Sequence, residues 1–172
     1  MRNQSKASKS DNTFIRNFET DFERTKRHSH SFASAMWKII ETEKVTYQTA
    51  TGKKATSFIR DRNHFAEVTG LGPSTYDRIK SKSTFYVPSL TTFMTLCKVY
   101  DLNSSLAKVL RSSYGYDFNP NSREHQAYIY LLDNCRGASL SYCNSVLKSL
   151  GIEKKYYLGD GTIGEEATEA EE

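Results

Sequence analysis

The 172-residue chain reads as an all-α protein. Apolar residues recur at spacings of three and four through most of residues 31–150. The segments carrying this repeat are short, and Gly, Pro, Asn or Ser punctuates the joints between them. Only residues 44–60 change to the alternating period of a strand. A run of short helices with short connections and at most one hairpin belongs to the all-α class.

Residues 1–28 are polar and basic, with Phe14, Ile15, Phe18 and Phe22 among them. They read as a disordered arm, with a short helix over 12–26 as an option. Phe14, Phe18 and Phe22 would share one face of that helix, which either packs on the domain or orders on DNA or a partner. Residues 31–43 form an amphipathic helix capped by Ser31, with Phe32, Met36, Ile39 and Ile40 on one face and Trp37 beside them. In 44–60, Val45, Tyr47 and Thr49 alternate, Thr51 to Lys54 supply a turn, and Ala55, Ser57 and Ile59 alternate again. This segment is a β-hairpin with a basic tip or a flexible loop.

Residues 62–71 read as a short helix ended by Gly70, and 73–82 as a second, entered through Gly72 and Pro73. Pro88 opens a helix with Leu90, Phe93, Met94, Cys97 and Tyr100 at helical spacing. Asn103 caps the next, whose apolar side is Leu106, Val109 and Leu110. Residues 114–121 are rich in turn formers. A helical hairpin follows over 122–135 and 139–150, with Gly137 between its arms and Gly151 after them. Its apolar faces are Tyr128, Leu131, Leu132 and Cys135, then Leu140, Cys143, Val146, Leu147 and Leu150. Residues 159–172 are acidic and Gly-containing and read as a disordered tail.

The net charge of +4 conceals a division. Asp160, Glu165, Glu166, Glu169, Glu171 and Glu172 give residues 160–172 a charge of −6 with no Lys or Arg, so residues 1–159 carry +10. A basic body attracts polyanions such as nucleic acid, although a solvated Lys-rich surface has the same composition. Cys97, Cys135 and Cys143 show no CxxC or Cys/His spacing, lie in apolar helical patterns and fit a reducing cytoplasm. His28, His30, His64 and His125 show no metal spacing. Neither a Ser/His/Asp order nor a Gly-rich phosphate loop is present, so no catalytic residues, cofactor or metal are expected. No apolar run reaches the length of a membrane span, and Met1–Ser10 has no apolar signal core.

The stretch HFAEVTGLGPSTYDRIKSK, residues 64–82, carries the functional expectation. Phe65 and Ala66 supply an apolar and a small residue in the first helix, Gly70 the tight turn, Leu71 a plug between the helices, and Tyr76 and Ile79 a buried face in the second. This segment resembles the Cro/repressor-type (XRE-like) helix-turn-helix family. The similarity extends over roughly 31–113, because a helix at 31–43 stands upstream and helices at 88–100 and 103–113 follow. It implies a lambda-repressor-like five-helix helix-turn-helix domain, with an insertion between helices one and two and the C-terminal helical hairpin appended. The divisions are then a basic arm 1–28, a domain 29–116 with its insertion at 44–61, a helical extension 117–158 and the acidic tail 159–172.

The resemblance also implies a role: sequence-specific binding of double-stranded DNA by a bacterial or mobile-element transcriptional regulator, with residues 73–82 in the major groove. Base readout falls to Ser74, Thr75, Asp77 and Arg78, and Arg78 is the foremost of them because its fork pairs bidentately with guanine. Phosphate contacts fall to Arg62, Asn63, His64, Lys80 and Lys82, with Lys53 and Lys54 of the insertion as a second locus. Two positions depart from the pattern. Pro73 cannot hydrogen-bond a base edge, and Asp77 faces a negatively charged groove, where it accepts from cytosine or orients Arg78. A homodimer is expected, since two half-sites multiply specificity. The competing reading is a protein-interaction or assembly module, antitoxin-like partners included, that keeps this core and works through residues 122–151. The frequent tyrosines of the C-terminal half serve either packing or such a surface.

Overall fold

The computed structural model describes residues 31–162 apart from Ala50 and Thr84. The chain divides into two units, Met1–His30 and Ser31–Glu172, and every described residue lies in the second. The basic arm and most of the acidic tail expected from sequence lie outside the described residues.

The described fold is mostly helical with one two-stranded sheet. Helix α1 spans Phe32–Thr42, and the Ser31 Oγ accepts the Ser34 N–H at its start (3.2 Å). Strands β1 (Val45–Gln48) and β2 (Lys54–Ser57) pair antiparallel, Val45 opposite Ser57 and Gln48 opposite Lys54. Gly52, at φ +75°, makes the turn between them. Then come α2 (Arg62–Thr69), α3 (Pro73–Lys80), α4 (Leu90–Val99), α5 (Ser104–Ser112), α6 (Arg123–Asn134) and α7 (Leu140–Ser149), and a short 3-10 turn at Lys154–Tyr156.

Helix α4 is the axis of the core. Phe93 through Lys98 are all buried, because α2, β1, α6 and α7 cover it on several sides. Phe32 ties the first helix to it. Its ring meets those of Tyr86 (6.0 Å), Phe93 (6.0 Å) and Tyr114 (5.4 Å), which come from three different parts of the chain. Helices α6 and α7 share this core through Tyr128, Leu131, Leu132, Cys143 and Leu147. The seam is polar at one point. Lys98 is buried, and its Nζ donates to the carbonyls of Leu131 (3.4 Å) and Cys135 (2.5 Å) at the end of α6. A cation there complements the negative end of the helix dipole. Asp101 continues the seam, accepting from Arg136 and the Gly137 N–H at 3.0 Å each.

Two sequence expectations are corrected. The apolar side of α5 is not Leu106, Val109 and Leu110: Ala107 and Leu110 face the core, whereas Leu106 is 48% and Val109 65% exposed. The small Ala107 lets the helix approach its neighbours, and that rotation turns Val109 outward. The tail does not loosen at residue 159. Leu158 is fully buried, and residues 158–162 are tied into the fold by hydrogen bonds to α4 and α7.

Candidate nucleic-acid interface

Local chemistry fixes the α2–α3 pair. Asp61 caps α2: its Oδ1 accepts the Asn63 and His64 N–H groups at 2.9 Å each. The bond from the His64 N–H is the main reason that the Asp61 carboxyl lies below its usual range; partial desolvation opposes it, and the Asn63 N–H and the Arg60 charge add to it. At the other end Gly70 adopts φ +65°, and its N–H reaches the Ala66 carbonyl (2.9 Å). Thr69 reinforces the turn, donating from Oγ1 to the Phe65 carbonyl (2.7 Å) and accepting the Leu71 N–H (3.1 Å). Helix α3 starts on Pro73, where a missing N–H removes nothing. Tyr76 and Ile79 are its buried face, and the Tyr76 ring packs on Trp37 and Phe65 at 5.4 Å each.

The outward face of α3 presents Ser74, Asp77 and Arg78, all exposed. Thr75 is half-buried. Burial pushes the Tyr86 phenol above its ordinary value, with the nearby Arg78 and Thr75 opposing. Lys80 is exposed, its Nζ 6.0 Å from the Trp37 ring centroid and 5.9 Å from that of Tyr76. Lys82 follows the helix at φ +52° and is exposed. Arg62 and Asn63 are exposed at the start of α2. Lys53 and Lys54 are exposed on the hairpin, a separate element. Lys44, which the sequence reading passed over, is exposed and sits above the Phe58 ring (5.4 Å).

Two site expectations change. His64 is only 3% exposed and so is not available to a phosphate. Its Nδ1 accepts the Arg60 N–H (3.2 Å), and its ring meets the edge of Tyr47 (5.1 Å), so it anchors the hairpin to α2. Asp77 does not orient Arg78. Its carboxylate pairs with Arg62 across the two helices (3.6 Å). Asp61 was the useful residue missed in sequence, and the readable signal was an Asp directly before a short helix.

The basic character of the surface is smaller than composition implies, because Lys98 and Arg111 are interior. The Arg111 guanidinium lies 5.7 Å from the Phe93 and Tyr116 ring centroids and 5.2 Å from that of Phe118, and its Nε donates to the Asp117 carbonyl (3.2 Å). A cleft of about 510 Å³ opens between the hairpin, α2 and the α6–α7 turn, with Lys44, Tyr47, Glu67, Asp101 and Ser139 among its walls. Among the described residues no group of three or more His, Cys, Asp or Glu side chains is placed to hold a metal. No described helix is long and apolar enough to cross a membrane. Comparisons with protein-family models, curated proteins and solved structures give no match for this chain.

Proposed function

We propose that this chain binds double-stranded DNA sequence-specifically as a transcriptional regulator, with α3 lying in the major groove. One observation carries the reading: α2 and α3 meet at a left-handed glycine, with Tyr76 and Ile79 inward and Ser74, Asp77 and Arg78 outward. An exposed helix face of polar side chains is what a groove can accept. Arg78 then reads guanine through its fork, and Ser74 contacts a base or a phosphate. Thr75, half-buried, is less open to a base edge than Ser74 or Arg78. Arg62, Lys80 and Lys82 face phosphates, and a two-fold site read by a homodimer multiplies the few base pairs that one short helix covers.

Selection from a random duplex pool, run with the full chain and with Arg78→Ala, tests this. The full chain should enrich a defined, two-fold-related sequence. Arg78→Ala should bind that sequence about 1–3 kcal/mol more weakly and lose preference at one base pair. Recovery of no preferred sequence would overturn the proposal.

A second reading, a protein-interaction module including an antitoxin-like one, is favoured by a specific feature. Leu106, Val109, Tyr116, Tyr130 and Tyr142 leave large apolar area in solvent on α5, on the loop after it and on the extension. A complex that forms in high salt and ignores charge reversal at Lys80 and Lys82 would favour that alternative.

A further inference from the structure

The segment Leu158–Thr162 forms a strap across the outside of the α2–α3 turn. It has two attachments. On the α7 side, Asn144 is fully buried and uses its whole amide on the strap. Its Oδ1 accepts the Leu158 N–H (2.7 Å), and its Nδ2 donates to the carbonyls of Leu158 (3.0 Å) and Thr162 (2.8 Å). On the core side, the Gly159 N–H donates to Thr95 Oγ1 of α4 (2.9 Å).

Strap and turn touch backbone to backbone. Gly70 and Gly159 both have positive φ, +65° and +61°. A Cβ on Gly70 would fall 2.6 Å from the Asp160 nitrogen, and one on Gly159 would fall 2.7 Å from the Thr69 carbonyl oxygen. Neither approach leaves room for a side chain. Asp160 closes the far end, its Oδ1 accepting the Thr162 N–H (2.9 Å) and hydroxyl (2.6 Å). On the near side, the Tyr128 hydroxyl donates to the Tyr156 carbonyl (2.7 Å) and holds the preceding 3-10 turn to α6.

We infer that this strap is a positioning element for α3, and that Asn144 is the positioning residue that holds it in place. The turn it backs sets the angle between α2 and α3. A binding side chain must be held to within about 0.5 Å for a bidentate contact to form, and an eight-residue helix attached by a three-residue turn does not hold itself to that tolerance. The extension supplies the missing constraint, with no need to touch the nucleic acid. The functional consequence rests on the DNA-binding reading; the mechanical coupling does not.

The test has two arms on Asn144→Leu, which keeps the γ-branched shape at a somewhat larger volume and removes all three hydrogen bonds. In the first arm, amide exchange is followed residue by residue. Exchange at Leu158 and Gly159 should accelerate, and Gly70 and Leu71 should accelerate with them while the α1 and α6 amides stay protected. Fast exchange at Leu158 with Gly70 and Leu71 unchanged overturns the inference, whether or not the chain binds DNA. In the second arm, affinity for the selected site is compared with affinity for its single-base variants. A loss of stability alone scales every affinity equally and leaves the ratios as they were. Loss of positioning should compress the ratio at the Arg78-dependent base pair by at least about fivefold, the lower end of what one bidentate contact supplies. Unchanged ratios overturn the positioning role. If Asn144→Leu fails to fold, Thr95→Val removes the Gly159 acceptor at nearly constant shape, together with the bond from Thr95 Oγ1 to the Thr91 carbonyl within α4, and both arms are read on that variant. Failure of the unsubstituted chain to select any sequence refutes the functional reading alone, and the exchange arm still decides the coupling.

Discussion

Asp77 stands on the exposed face of α3 with its carboxylate 3.6 Å from Arg62, and both side chains are more than half exposed, at 53% and 59%. An ion pair in that much solvent is weak and exchanges readily for a better partner. A phosphate at the start of α2 is such a partner, and Asp77 competes with it for Arg62 while adding a repelling charge to the proposed interface. Asp77→Asn should therefore tighten DNA binding at low salt. It should also steepen the dependence of log K on log salt by about 0.9, one additional neutralised phosphate. Fluorescence anisotropy on a short duplex between 50 and 200 mM salt reads both quantities. An unchanged slope would mean that Asp77 withholds no phosphate contact from Arg62. The identity of Asp77 as an outward residue was readable from helical spacing, but its partner was not. Arg62 and Asp77 are on different helices, and only the crossing angle set by Gly70 brings them together. His64 shows the same limit from the other side: beside a basic stretch it looks like a phosphate donor, yet Asp61 capping rotates it under Tyr47.

The helices were legible because apolar residues at a 3.6 period must be buried together. Their caps, Ser31, Ser89, Asn103, Ser122 and Ser139, are each used as the local residue preferences imply. The rotation of α5 was not legible, since Ala107, Leu110 and Arg111 compete with Leu106 and Val109 for the inner face and only the neighbouring helices decide. The insertion offered a hairpin or a loop from its alternation, and the pairing of β1 with β2 is hydrogen-bonded and reinforced by the Thr46 and Thr56 hydroxyls (2.9 Å). Lys53 and Lys54 at its basic end are solvent-exposed, so they can be altered without disturbing the fold. Reversing charge at both Lys53 and Lys54 to Glu should shift the melting temperature by no more than a few degrees, since surface changes away from packing are generally within about 0.5 kcal/mol each. If the hairpin follows the phosphate backbone beside α2, the same change should weaken DNA binding and reduce the salt slope by about 1.8, two phosphates at about 0.9 each. A salt slope equal to that of the unsubstituted chain would make the hairpin a surface decoration that serves only to cover His64.

Across the whole molecule, the charge division and the strap act on the same place. Gly159-Asp160-Gly161 has the composition of a loose tail, and nothing local marks it otherwise. Its order comes from partners far away in sequence: Thr95 is 64 residues from Gly159. The strap therefore starts the acidic segment against the α2–α3 turn, beside the proposed DNA-binding face. Glu165, Glu166, Glu169, Glu171 and Glu172 follow within ten residues of Thr162. A tethered polyanion at that point competes with phosphate for the same cations at a high effective concentration. Truncation after Thr162 removes those five glutamates and changes the net charge from +4 to +9. It should tighten non-specific binding to a scrambled duplex at 50 mM salt, with the gain shrinking as the screening length falls from about 14 Å toward about 3 Å at 1 M. The position of the cut matters. Ending the chain before Asp160 also deletes the Thr162 carbonyl that Asn144 holds and the backbone that meets Gly70, so that shorter chain should gain non-specific affinity while losing base preference. A pair of truncations thus separates charge from mechanics. Equal low-salt affinity of the full chain and the chain ending at Thr162 would show that the acidic segment does not compete for the basic face. Equal base preference in the two truncated chains would show that the last three residues of the strap do not steady α3.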